Sequence, residues 1–89
     1  MAKIITYDLC NPGKNYSGLI NRIKDYKHCK ITESCWIVST SWSCIQIRDD
    51  LSKYLDNNDR LFVAELTGVA AWKGLMLDSN DNIKKILNQ

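Results

Sequence analysis

The chain has 89 residues, a net charge of +2, 45% hydrophobic and 25% charged residues. That composition describes one small globular domain with a modest core and excludes wholesale disorder. It also argues against a dedicated high-affinity duplex DNA binder, which carries a much larger positive charge.

No apolar run approaches the ~20 residues that span a bilayer. The first residues run straight into a strand without the basic, apolar and small-residue regions of a signal peptide, so a cytoplasmic protein is expected. Cys10, Cys29, Cys35 and Cys44 stand 19, 6 and 9 residues apart with no C-x-x-C. Reduced, apolar-like thiols are the expectation, since these spacings match no closed zinc ligand set, even with His28 beside Cys29.

The charge is uneven. Residues 1–30 hold six Lys or Arg (Lys3, Lys14, Arg22, Lys24, Lys27, Lys30) against Asp8 and Asp25. Residues 31–89 hold six against eight acids. Arg22, Lys24, Lys27 and Lys30 read either as a solvated helix face or as a phosphate-attracting patch.

Taken in order, Lys3-Ile-Ile-Thr-Tyr-Asp8 is a β-rich run that ends on a carboxylate before the Pro12-Gly13 turn. Asn15 is the expected N-cap of a helix with Tyr16, Leu19, Ile20, Ile23 and Tyr26 on its apolar side. Gly18 weakens that helix by up to ~1 kcal/mol and permits close approach to a neighbour. Lys30 to Thr40 alternates and is too long for one strand, so a bend or hairpin is expected near Glu33-Ser34. Trp36 and Val38 then share one face, and Cys35 and Ile37 the other. Ser43-Cys-Ile-Gln46 fits a capping box, with Trp42 and Ile47 placed as a hydrophobic staple. The helix it starts buries Cys44, Ile47, Leu51, Tyr54 and Leu55.

Asp56-Asn-Asn-Asp59 lacks the spacing and central Gly of a calcium loop and reads as a turn. Arg60 to Leu66 is apolar at nearly every position, which predicts a strand buried on both faces, by neighbouring strands or by a partner subunit. Gly68 to Gly74 is expected to be a closing edge strand or an arm exchanged between subunits. A short helix from 79 to 88 ends the chain. The order strand, helix, extended pair, helix, strand predicts an α+β, ferredoxin-like βαββαβ domain over residues 1–89, its core at 3–75. Two helices cover one face of the antiparallel sheet, and the uncovered face predicts a homodimer.

Six segments together resemble one known family: Tyr7-Asp8-Leu9, Tyr-Ser-Gly-Leu (16–19), Ile-Lys-Asp-Tyr (23–26), Glu-Ser-Cys-Trp (33–36), Asn-Asp-Arg-Leu-Phe-Val (58–63) and Ala-Ala-Trp-Lys-Gly (70–74). The chain is similar over about residues 3 to 75 to the small bacterial and phage family labelled SinR-like. That family resembles the small subunit of the CRISPR spacer-acquisition complex and virulence-associated toxins. Nothing in the chain reads as a helix-turn-helix.

The resemblance implies a ferredoxin-like homodimer. It also implies that Asp8 holds the position of the relatives' essential carboxylate, which in some of them serves a metal-dependent nuclease. Two such carboxylates meeting at a dimer axis would hold Mg²⁺ or Mn²⁺ and activate water. Tyr7 precedes Asp8 as in the relatives, and Ser34 lies in their polar-Ser-x-aromatic element. No second acid or His is evident in the sequence to complete a site.

Three functions follow, with enzymatic activity undecided. One is a non-catalytic dimer that binds nucleic acid or a nucleotide at the inter-subunit cleft through Tyr7, Lys14, Arg22, Lys24, Lys27, Lys30 and Ser34. Another is a nuclease using Asp8 from both subunits. The third is a protein-binding or signal-sequestering accessory protein of the kind phages and defence islands encode.

Overall fold

The computed structural model describes residues 2–11, 16–74 and 79–87. Four strands form one antiparallel sheet: β1 (Ala2–Asp8), β2 (Lys27–Thr32), β3 (Cys35–Ser39) and β4 (Arg60–Glu65). Three helices accompany it: α1 (Ser17–Lys24), α2 (Cys44–Ser52) and α3 (Ser79–Leu87). The spatial order is β2-β3-β1-β4, so β1 is central and β4 lies at an edge. None of the described helices is long and apolar enough to cross a membrane.

Period-2 alternation sorts β1 and β3 between two cores. On the first face Ile5, Tyr7, Trp36 and Val38 pack with Leu19 and Ile23 of α1 and Ile47 and Leu51 of α2. On the second face Ala2, Cys29 and Ile37 pack with Ile83 and Ile86 of α3. The register Ile5↔Trp36 and Ile4↔Ile37 keeps these sets apart. Sliding β3 by one residue would turn Trp36 and Val38 away from α1 and α2, so burial of both faces pins the pairing.

The hairpin falls where alternation placed it, with the turn at Glu33-Ser34 and a register shift between Lys30 and Thr32. The capping box is present. Ser43 Oγ accepts from the Gln46 N–H at 3.1 Å, and Gln46 Oε1 accepts from the Ser43 N–H at 2.8 Å. Ile47 is fully buried behind it.

Four expectations are corrected. The first helix stops at Lys24, and Tyr26 leads into β2 rather than extending α1. From Lys27 onward the chain follows period 2, with Cys29 and Ile31 on the α3 side, and cross-strand pairing to β3 outweighs continued helix. Within the single chain β4 is an edge strand rather than a central one, and its second face, beyond the reach of α3, leaves Phe62 61% exposed. The second face of the sheet is not bare, because α3 lies over β2 and β3 there. Residues 68–74 form no strand, and Trp72 packs instead onto the second core. The expected N-cap Asn15 lies outside the described residues.

One cluster joins α1 to α2. Arg22 Nε donates to Asp50 Oδ2 at 2.6 Å, and the Tyr26 hydroxyl donates to the same oxygen at 3.0 Å. The Arg22 guanidinium lies 5.3 Å from the Tyr26 ring centroid and 5.9 Å from that of Trp42. Tyr26 and Trp42 meet edge to face at 6.1 Å. Burial, reinforced by the bond to the Asp50 carboxylate, pushes the Tyr26 phenol up to about 12. Between pH 10 and 12 the unfolded chain then loses a proton that the folded protein keeps, so stability falls as pH rises through that window. In alkaline denaturation Tyr26→Phe is expected to remove that part of the slope.

Candidate functional site

Asp8 closes the central strand and is exposed, directly opposite Arg60 in the β1–β4 register. Among the described residues its carboxylate makes no hydrogen bond or ion pair. Alternation places Thr6 and Asp8 of β1 and Arg60 and Phe62 of β4 on the second face, at the end α3 leaves uncovered. Thr6, Tyr7, Asp8, Arg60, Leu61 and Phe62 line an open hollow of about 210 Å³ there.

The two loops beside this hollow are laced together. Asp59 accepts the Cys10 N–H at 2.8 Å, the Tyr16 hydroxyl at 2.9 Å and the Asp56 N–H at 2.8 Å. Asn11 Nδ2 donates to Asp56 Oδ2 at 2.9 Å and to Asn58 Oδ1 at 2.8 Å. Residues 56–59 therefore form the turn that their composition indicates, and its last carboxylate anchors the chain leaving β1. Loss of solvent around its ring, and then the bond to Asp59, hold the Tyr16 phenol above its ordinary value.

Although Tyr7 borders this hollow, its side chain packs into the first core. Its hydroxyl accepts from Trp36 Nε1 at 2.9 Å, and burial raises its phenol although that bond opposes the shift. Ser34 is exposed in the hairpin turn, and its carbonyl accepts the Tyr7 N–H at 3.1 Å.

The basic residues singled out in the sequence do not gather at one place. Arg22 is engaged by Asp50, and Lys24 is exposed at the end of α1. Lys30 sits on the first face, its ammonium 5.6 Å from the Trp36 ring centroid and 3.8 Å from Glu33. Register places Lys27 on the opposite face of β2. Lys14 lies outside the described residues. No group of three or more His, Cys, Asp or Glu side chains comes together among the described residues.

Arg60 and Phe62 were absent from the sequence-derived set, because a nearly continuous apolar run reads as core. The available signal was the alternation Arg60-x-Phe62 against Leu61-x-Val63. Together the site offers a guanidinium suited to a phosphate, an open ring suited to a base, and a carboxylate suited to a hydroxyl, an amino group or a hard cation. No protein-family model matches this chain, and no curated protein matches it significantly.

Proposed function

We propose that this protein is a non-catalytic, cytoplasmic homodimer that binds nucleic acid or a nucleotide through the Asp8–Arg60 end of its sheet. The observation carrying this reading is the hollow itself: Arg60 and the exposed Phe62 ring flank one open surface, with Asp8, an acid without a partner among the described residues, at its rim. The strand order, with α1 and α2 on one face, supports reading the frame as ferredoxin-like βαββαβ with α3 added. The resemblance to the SinR-like family and its CRISPR-adaptation relatives is consistent with such a module. Fold alone does not assign an activity, so the proposal rests on the site.

One observation favours the nuclease as a second reading. Asp8 is exposed and has no hydrogen-bond or ion-pair partner among the described residues, the state a carboxylate needs in order to receive Mg²⁺ or Mn²⁺.

A gel with labelled single- and double-stranded RNA and DNA, in Mg²⁺, Mn²⁺ or EDTA, separates the two. The binding module gives a salt-sensitive shift that persists in EDTA without cleavage, and Arg60→Ser lowers the log–log salt slope by about 0.7 for a single strand. Metal-dependent cleavage lost in Asp8→Asn would replace it with the nuclease. A protein that neither shifts nor cleaves any of these would point to the accessory-protein reading.

A further inference from the structure

The edge of β4 that faces away from β1 has a definite hydrogen-bonding register. Leu66 donates its N–H to the Ala2 carbonyl at 2.9 Å. Alternation from that bond turns the backbone groups of Phe62 and Ala64 toward β1 and those of Leu61, Val63 and Glu65 outward. Among the described residues no strand pairs with this outer edge. Unpaired edges of this kind are templates for another strand, and soluble proteins usually blunt them with bulges, Pro or Lys. β4 carries none of these.

Beside this edge runs a groove of about 260 Å³ lined by Cys44, Ile45 and Arg48 of α2 and by Leu61, Phe62 and Val63. Ile45 and Phe62, each 61% exposed, flank it.

We propose that β4 pairs antiparallel with β4 of a second copy about a two-fold axis at Val63, joining two four-stranded sheets into one. This rests on the homodimer half of the function proposed above and specifies its interface. Val63 then faces its own copy, and Leu61 and Glu65 face each other twice, for about six new backbone hydrogen bonds. Each Glu65, held by Lys3 of its own chain at 3.2 Å, arrives on the α2 side of its partner strand, where Arg48, paired with Asp49 at 2.9 Å, lines the groove, so the two ion pairs come together with opposite charges adjacent. Each Phe62 sits across from the small Ala64. The alternative axis at Phe62 sets Glu65 against Asp59, two acids, and is disfavoured.

Two consequences follow from strand geometry. The Phe62 residues come within about 8 Å, Cα to Cα, on one continuous face, with an Arg60 at either end. That strip is a double stacking surface that spans the axis. The two Asp8 residues are instead separated by three strand spacings, roughly 14 Å, before any stagger along the strands is added. No single metal ion bridges that distance, so this dimer is incompatible with a carboxylate pair shared across the axis.

The test combines sedimentation with amide hydrogen exchange. The wild type is expected to sediment as a dimer in which the Leu61, Val63 and Glu65 amides are as protected as those of Phe62 and Ala64. Dilution to monomer should release only the odd-numbered set. Val63→Pro removes an outward donor that no described residue of the same chain accepts, and is expected to give a folded monomer by circular dichroism. Should that variant fail to fold, exchange in the wild type decides alone. A dimer whose odd-numbered amides exchange freely overturns the edge pairing but leaves the homodimer standing. A monomer at every concentration overturns both, while a nucleic-acid shift by that monomer would preserve the binding half of the function.

Discussion

Trp36→Ala is expected to cost about 3–5 kcal/mol, the range for emptying a buried aromatic site. Trp36 is 2% exposed at the centre of the first core, where its indole N–H is donated to Tyr7. The His28 ring lies 5.7 Å away edge to face, and Lys30 covers the indole at 5.6 Å. One residue thus joins β1, β2 and β3, and its removal leaves a void that α1 and α2 cannot both close. A domain of this size has total stability of only about 5–15 kcal/mol, so the variant loses a large share of it. Trp36→Phe separates the causes. It retains most of the volume and withdraws the donor from the Tyr7 oxygen, for an expected loss of about 1–3 kcal/mol. Urea denaturation of both variants checks the order. Equal losses would mean that the hydrogen bond, rather than packing, dominates.

The second large effect is expected at Asp59. Its carboxylate accepts two backbone N–H groups, from Cys10 and Asp56, besides the Tyr16 hydroxyl. Bonds to an ionised acceptor are stronger than neutral ones, and Asp59→Ala is expected to cost about 2 kcal/mol after allowance for water reaching the freed donors. The functional effect should exceed the global one. The chain leaving β1 is tied to the 56–59 turn through this residue, and Asp8 and Arg60 stand on either side of it. Weakened nucleic-acid binding is therefore expected while circular dichroism is retained. Asp59→Asn keeps one acceptor oxygen and should fall between the variant and the wild type in both measurements.

The sequence was most informative where a signal is local. Ser43 and Gln46 satisfy each other three residues apart, so the start of α2 could be placed from four letters. The hairpin at Glu33-Ser34 followed from the length of one alternating run. What could not be read locally was which neighbour each strand acquires. Leu61, Phe62 and Val63 look equally buried as letters, yet α2 lies over the face of Leu61 and Val63, whereas Phe62 is on the opposite face, at the end that α3 does not reach. The covered second face was misread for the same reason: α3 was visible as a helix, but not the face it would lie on. The basic residues from Arg22 to Lys30 look like one patch in the sequence. The switch from helix to strand between them sends Lys27 and Lys30 to opposite faces and leaves Arg22 bound to Asp50. The candidate site suffered likewise. Asp8 was legible as a strand-terminal carboxylate, whereas Arg60 became its neighbour only through long-range pairing.

Ligand is expected to bind at the Asp8–Arg60 end of the sheet. An amide-resolved NMR titration with a short single-stranded oligonucleotide at low salt tests it most directly. The largest shifts are expected at Thr6, Asp8, Arg60 and Phe62, with Lys24, Lys27 and Lys30 little affected and with Phe62→Ala weakening the effect. Shifts centred on Lys24 and Lys30, with Arg60 and Phe62 silent, would contradict it.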